Sequence, residues 1–171
     1  VRSTPQSQHR SRSDSDPLVF GGGPVLTANP EPFADFFDII LLGDGENLLG
    51  DFIAAYKEVR NGDRITQLQR LAQVPGVYVP SLYEVTYRDP TGEIQSIRPL
   101  AEIPSVVEKQ TYRGNTLSAS TVVTEKSACE NIYMVEVVRS CPEMCRFCLA
   151  SYLTLPFRTA SFEGALIPAI E

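Results

Sequence analysis

The chain has 171 residues, 43% of them hydrophobic, and a formal net charge of -6 at pH 7. This length and apolar content are enough for one or two domains with a core. The acidic balance argues against a surface built broadly for nucleic acid, although it leaves room for a local basic patch. No apolar run approaches the roughly 20 residues that span a bilayer, and residues 1–16 lack the apolar centre of a signal peptide.

The first 16 residues are rich in serine, arginine and aspartate and contain almost no apolar side chains. Such a segment cannot bury enough surface to offset the entropy of ordering, so we predict a mobile polar tail or loop. A nucleic-acid arm built on Arg2, Arg10 and Arg12 is the alternative, but two nearby aspartates balance these charges.

Residues 17–75 alternate short apolar runs with helical patterns. Leu18–Phe20 reads as a buried strand that enters the glycine run Gly21–Gly23, and Asn29 signals a short helix that extends through Phe36. Asp38–Leu42 reads as a second buried strand. The pattern predicts a βα unit with parallel strands.

A longer amphipathic helix follows over Asn47–Val59, and a further helix is predicted over Arg64–Gln73. Strand, helix, strand and helix joined by short glycine connections are typical of the terminal half of a three-layer α/β domain. Asp44 and Glu46 precede or begin the longer helix. They are better explained by the charge preference of a helix N-terminus than by a metal site.

The glycine run Gly21–Gly23 could contact a nucleotide tail, because glycine-rich loops after strands often bind phosphate. It is neither the dinucleotide fingerprint nor a P-loop, so a tight turn is the simpler interpretation. Residues 76–128 alternate apolar and polar positions around a turn at Asp89–Gly92, which predicts a β-hairpin within a β-rich connector. No chemistry can be assigned to the connector.

Residues 129–139 predict another strand. Glu136 is the one charge between Ile132 and Val138, and we expect it to face an interior or a neighbouring segment. Cys129 is most simply a buried or loop thiol. Beyond the cysteines, Leu149–Leu153 is apolar, and Thr159 or Ser161 could cap a helix through Ile167.

Three cysteines, Cys141, Cys145 and Cys148, follow the strand at CxxxCxxC spacing. A compact loop with three thiolates can hold three irons of a 4Fe-4S cluster and leave the fourth iron without a protein ligand. Structural zinc normally needs four ligands, and the one histidine, His9, is far away in sequence. The chain has four cysteines, and three of them stand at this spacing, which indicates a reducing cytoplasm. Zinc, a ferredoxin-like site and plain structural thiols are the alternatives.

The motif, with the aromatic Phe147 directly before the last cysteine, resembles CxxxCxΦC of the radical S-adenosylmethionine (radical SAM) superfamily. The resemblance implies that Cys141, Cys145 and Cys148 hold the cluster and that Phe147 shapes the adenine side of the cofactor pocket. It further implies that the open iron binds S-adenosylmethionine, that the cofactor is cleaved to a 5′-deoxyadenosyl radical, and that a flavodoxin or ferredoxin supplies electrons. Arg158 lies where related proteins keep a Pro-x-Arg element for loop packing or cofactor contact.

The glycine run, the segment Asn29–Pro32 and Gly43–Glu46 are similar to the end of the cobalamin-binding Rossmann-like domain of one radical SAM group. In that group a pair of glycines lies against the cobalamin nucleotide, and Gly22 and Gly23 match it. The histidine motif DxHxxG is absent from the chain, so the resemblance leaves cobalamin binding open.

The resemblance therefore predicts four regions: a polar tail (1–16), the end of a Rossmann-like domain (17–75), a β-rich connector (76–128) and the first strand, cluster loop and helix of a partial (βα)6 barrel (129–171). The chain begins with Val1 and ends at Glu171 in a predicted helix, so we expect a fragment that is inactive alone. A non-enzymatic iron-sulfur electron carrier or redox sensor is the first alternative, and an α/β module with a vestigial motif is the second.

Overall fold

The computed structural model describes residues 12–89, 92–114 and 118–170. They form two compact units, which divide between Tyr112 and Arg113. The division falls inside the predicted connector, whose hairpin belongs to the N-terminal unit. Among the described residues, no helix combines the length and apolarity needed to cross a membrane.

The N-terminal unit is a small α/β structure. Its elements are β1 (Phe20–Gly22), α1 (Pro24–Ala28), β2 (Ile39–Leu41), α2 (Gly45–Val59), α3 (Arg64–Leu71), β3 (Val77–Tyr78), β4 (Tyr83–Tyr87) and β5 (Ile94–Pro99). Strand β2 lies in the middle of a three-stranded sheet, parallel to β1 and antiparallel to β3. Strands β4 and β5 form a separate antiparallel hairpin. The mixed α/β class and the parallel βα unit predicted from the sequence are confirmed.

The sheet is covered on both faces because successive side chains of β2 point in opposite directions. Ile39 and Leu41 pack with residues of α2 and α3 in the main hydrophobic cluster. Ile40 joins a second cluster with Leu26 of α1 and the rings of Tyr78 and Tyr83. Each fully buried aliphatic side chain of this kind contributes about 1.5–3 kcal/mol to stability.

Helices α2 and α3 follow the apolar periodicity closely. Helix α3 begins at Arg64 because Asp63 caps it, accepting hydrogen bonds from the Thr66 hydroxyl at 2.7 Å and the Thr66 amide at 3.0 Å. These bonds, the hydroxyl first, lower the pKa of Asp63. Helix α2 starts at Gly45, two residues before the predicted start.

Two predictions near the glycine run are wrong. The strand lies two residues later than predicted, so that Gly21 and Gly22 are part of β1 and not of a turn. A Cβ on Gly21 would come within 3.0 Å of the Phe37 ring and Leu26, so glycine permits the close packing on this face. The helix expected through Phe36 is instead a short 3-10 turn, Glu31–Phe33, and the α-helix of this region, α1, lies before Asn29.

The segment before β1 does not behave as a polar tail where the structure describes it. Arg12 and Arg64 both pair with the buried carboxylate of Asp38, at 2.9 Å and 2.7 Å. Asp38 also accepts a hydrogen bond from the Val19 amide at 2.8 Å, next to Phe20 and Ile39, where the pairing of β1 with β2 begins. The predicted mobile tail is therefore wrong for residues 12–16, and Arg12 is not available for a nucleic-acid arm. Residues 1–11 lie outside the described ranges.

The C-terminal unit has little regular structure. It contains β6 (Val138–Arg139), α4 (Leu149–Leu153), β7 (Arg158–Thr159), a π-helical turn (Phe162–Leu166) and α5 (Ile167–Ile170). The strand predicted over residues 129–139 is reduced to two residues, which pair antiparallel with β7. A barrel strand pairs in parallel with its neighbours, so the partial barrel is not confirmed. Ser161 does cap the final helical segment, as predicted.

Candidate functional site

The cysteine loop, residues 141–148, connects β6 to α4 and is closed at its base by strand pairing. Val138 pairs with Thr159 and Arg139 with Arg158. The Ala160 amide extends this pairing by donating to the Val137 carbonyl at 2.9 Å. The two ends of the loop region are thereby fixed next to each other.

Two side-chain hydrogen bonds attach the loop to α4, one at the residue before the loop and one in its middle. The Ser140 hydroxyl donates to the Ser151 carbonyl at 2.7 Å, and the Tyr152 hydroxyl donates to the Met144 carbonyl at 2.8 Å. Ser140 and Met144 both have left-handed backbones, with φ of 71° and 47°. These residues let the chain turn sharply, on either side of Cys141, without a glycine. Sequence reasoning missed all of these residues, because serine, tyrosine and methionine at these positions form no distinctive spacing.

The three loop cysteines are free thiols, and none of them is buried. Cys145 is exposed, and its carbonyl accepts the Cys148 amide at 3.0 Å, which forms a tight turn between the last two cysteines. Cys148 is the N-cap residue of α4. Hydrogen bonds from the Ser151 backbone amide and then from its hydroxyl lower the pKa of the Cys148 thiol. The deprotonated thiolate is the form that binds metals.

The donor set fits an iron-sulfur cluster in number and kind, since cysteine thiolates are the ligands of such clusters. Its arrangement differs from that of a formed site. Within the described ranges, no three histidine, cysteine or carboxylate side chains converge into a group that could hold a metal ion. The thiols of Cys141, Cys145 and Cys148 share one loop and would have to be drawn together there.

Phe147, predicted to shape a cofactor pocket, projects into solvent with 91% of its surface exposed. The contact of Phe147 with the adenine of a cofactor therefore stays a prediction.

Other predicted residues have structural roles. Glu136 pairs with Arg139 at 2.6 Å and accepts the Ser118 amide, so it faces a neighbouring segment as expected. Arg158 donates to the Thr154 and Pro156 carbonyls and packs the turn between α4 and β7. Cys129 is an exposed loop thiol outside the cysteine loop.

The two glycines matched to a nucleotide-binding pair lie at the end of β1. Gly22 backs onto the Leu41 carbonyl, where a Cβ would come within 3.2 Å. Gly23 has a φ of 97° and starts α1, with open space where its side chain would be. The packing of β1 on β2 explains Gly22 without a ligand, and contact of either glycine with a nucleotide stays a prediction.

The N-terminus of α2 is covered by a later segment of the same unit. The Gln110 amide donates to the Leu42 carbonyl at 2.9 Å, and the Asp44 amide donates back to the Gln110 carbonyl at 3.0 Å. The Asp44 carboxylate accepts the Tyr112 amide at 2.9 Å. Asp44 therefore ties the connector to the sheet, which agrees with its interpretation as a structural residue.

Residues 4–80 match a family model described as radical SAM proteins, N-terminal. The match ends before the cysteine loop, so the family match and the CxxxCxxC motif are separate indications of a radical SAM context. It supports a radical SAM context for the chain. It carries no information on whether the N-terminal unit is of the cobalamin-binding type.

The chain is 24% identical over 161 residues to an uncharacterized protein of Methanocaldococcus jannaschii. The alignment covers 94% of this chain but 29% of that protein. The chain thus spans less than a third of the length of the curated relative it matches. No solved structure matches the chain.

Proposed function

We propose that this chain is part of a longer radical SAM enzyme in which Cys141, Cys145 and Cys148 hold a 4Fe-4S cluster. Three free thiols in one loop of eight residues, which hydrogen bonds attach to α4 at its start and in its middle, are the observation that carries the proposal. The N-terminal family match supports the radical SAM context independently of the cysteines.

When bound, such a cluster would supply the electron that cleaves S-adenosylmethionine. The residues of this chain would bind the cluster and orient the cofactor. Cys148 is prepared for metal binding by the α4 amides that favour its thiolate. The hydrogen bonds from Ser140 and Tyr152 would keep the start and the middle of the loop attached to α4 while the thiols converge. Phe147, being exposed next to Cys148, is available to contact the adenine of the cofactor.

The barrel that would complete the cofactor site and the substrate pocket is not formed by the described residues, so we assign substrate selection and turnover to other parts of the enzyme. On this proposal the chain alone assembles a cluster and does not turn over. The substrate and the reaction that follows radical formation are left unassigned.

The test is anaerobic reconstitution with iron and sulfide, followed by reduction and electron paramagnetic resonance. In the longer protein that contains this chain, we expect a 4Fe-4S signal that changes when S-adenosylmethionine is added, because the cofactor would bind the open iron. A cluster whose signal is unaffected by the cofactor would favour an electron carrier or redox sensor instead. Absence of any cluster would reject both and leave a structural module.

A further inference from the structure

A cleft in the N-terminal unit combines acidic and aromatic side chains. We call it the acidic aromatic cleft; its walls include Glu31, Asp35, Tyr78, Tyr83 and Tyr87, and its volume is about 250 Å³. All of these residues lie far from the cysteine loop in the sequence.

A second, largely apolar cavity of about 480 Å³ shares three of these walls, Glu31, Tyr78 and Tyr83. Most of its further lining is aliphatic, from the residue after β2, the hairpin and the connector, namely Leu42, Ile94, Ile97, Val106 and Val107; Asn29, Pro30 and Ser105 complete it. In open α/β sheets, ligands bind outside the carboxyl ends of the strands, where Leu42 lies. The two cavities are neighbours, because Glu31, Tyr78 and Tyr83 line both. A ligand that used both would have a polar end and an apolar body.

The carboxylates of the cleft carry charge that no cation of the described residues neutralises. Glu31 accepts a hydrogen bond from the Tyr78 hydroxyl, and Asp35 lies four residues later at the rim. Neither forms an ion pair with a lysine or arginine within the described ranges, whereas Glu58, Glu84 and Glu93 on the surface all do. The cleft thus favours a positively charged group and disfavours an anion.

The tyrosines contribute ring faces more than hydroxyl groups. Tyr78 and Tyr83 are buried with ring centroids 5.1 Å apart, and their hydroxyls are already used, by Glu31 and by the Pro104 carbonyl. Tyr87 stands half-exposed at the edge of the cleft. Aromatic faces next to carboxylates are the combination that binds organic cations.

We propose that the acidic aromatic cleft binds a small organic cation, a primary ammonium group attached to an aliphatic body. The ammonium group would lie between the Glu31 and Asp35 carboxylates and the tyrosine faces, and the aliphatic body would extend into the neighbouring apolar cavity. This site shares no residue with the cysteine loop and does not depend on the cluster.

The experiment compares three probes of equal chain length, n-hexylamine, 1-hexanol and hexanoate, by calorimetry or NMR titration of the chain at low salt and pH 7. We expect the amine to bind at least about tenfold more tightly than the alcohol, as cation–π and carboxylate contacts predict, and hexanoate not to bind. Equal affinity for amine and alcohol would overturn the proposal and leave an unselective apolar cavity. Binding of none of the three would overturn it as well.

Two variants locate the site. Glu31→Gln keeps an acceptor for the Tyr78 hydroxyl while removing the charge, and it should weaken amine binding about tenfold. Asp35→Asn changes an exposed side chain that the fold does not need, so it carries the test if the first variant fails to fold. Glu58→Gln, on the exposed face of α2, is the matched control and should leave the affinity unchanged. Unchanged amine affinity in both cleft variants would contradict the proposal.

Discussion

Neutralising Asp38 should destabilise the N-terminal unit more than almost any other single polar change. Asp38 is 2% exposed, and its carboxylate contacts Arg12 at 2.9 Å and Arg64 at 2.7 Å. Asp38→Asn preserves size and can still accept the Val19 amide, but it leaves two buried guanidinium groups facing a neutral amide. Removing one partner from a buried ion-pair group costs about 3–5 kcal/mol.

Urea denaturation followed by far-ultraviolet circular dichroism measures this effect, because α2 and α3 of the N-terminal unit supply most of the helical signal. With a slope of about 1.5 kcal/mol per molar urea, the midpoint should fall by about 2–3 M. The matched control, Asp51→Asn on the exposed face of α2, should stay within about 0.5 kcal/mol of the unmodified chain. An Asp38→Asn midpoint equal to that of the control would refute the assignment of the buried triad.

Three further predictions concern the same unit. Gly43→Ala should lower the free energy of unfolding by about 2 kcal/mol or more, because φ is 106° there and a Cβ would overlap the Gln110 carbonyl. The control, Gly50→Ala, places a methyl group in open space within α2 and should be neutral or stabilise the unit by up to about 1 kcal/mol. Because hydrogen bonds lower the pKa of Asp63, its stabilising effect should be complete above about pH 4 and disappear as the pH falls through the lowered pKa. In Asp63→Asn, the free energy of unfolding should depend less on pH in that range. Burial, followed by the hydrogen bond to a carboxylate, raises the pKa of Tyr78. Its contribution to the free energy of unfolding should therefore be complete below about pH 10 and be lost above it. A plot of that free energy from about pH 8 to 11 should be flatter for Tyr78→Phe, and an unchanged slope would contradict this.

Periodicity was enough to predict the helices of the N-terminal unit. Leu48, Phe52 and Ala55 recur at helical spacing and all three are buried on one side of α2. Asp63 was not singled out from the sequence, although it fixes the start of α3. The apolar run before Leu42 was also sufficient for β2, because a strand covered on both faces needs no alternation.

The strand predicted before the cysteines failed for a physical reason. An apolar, β-branched run predicts a strand only if neighbouring strands are present to pair with it and cover it. In the C-terminal unit, Ile132, Met134 and Val137 remain exposed, and Val135 makes a single isolated bridge with Ala119. Propensity alone could not reveal whether partners exist.

Long-range ion pairs were equally beyond sequence reasoning. Arg12 was interpreted by composition, as one charge in a polar segment, whereas its contact with Asp38 spans 26 positions. The same limit applies to the acidic aromatic cleft, whose residues are spread from Glu31 to Tyr87 and are brought together by the fold. By contrast, the cysteine loop is local in sequence, so its motif could be identified without any structure.

The central claim is that the three loop cysteines, and not the fourth, hold a 4Fe-4S cluster. The most direct measurement is the iron and sulfide content of the anaerobically reconstituted chain and of single serine variants at Cys141, Cys145, Cys148 and Cys129. We predict about four irons and four sulfides per chain for the unmodified protein and for Cys129→Ser, and a loss of most of this content in each loop variant. Equal iron content in all four variants, or loss only in Cys129→Ser, would contradict the claim.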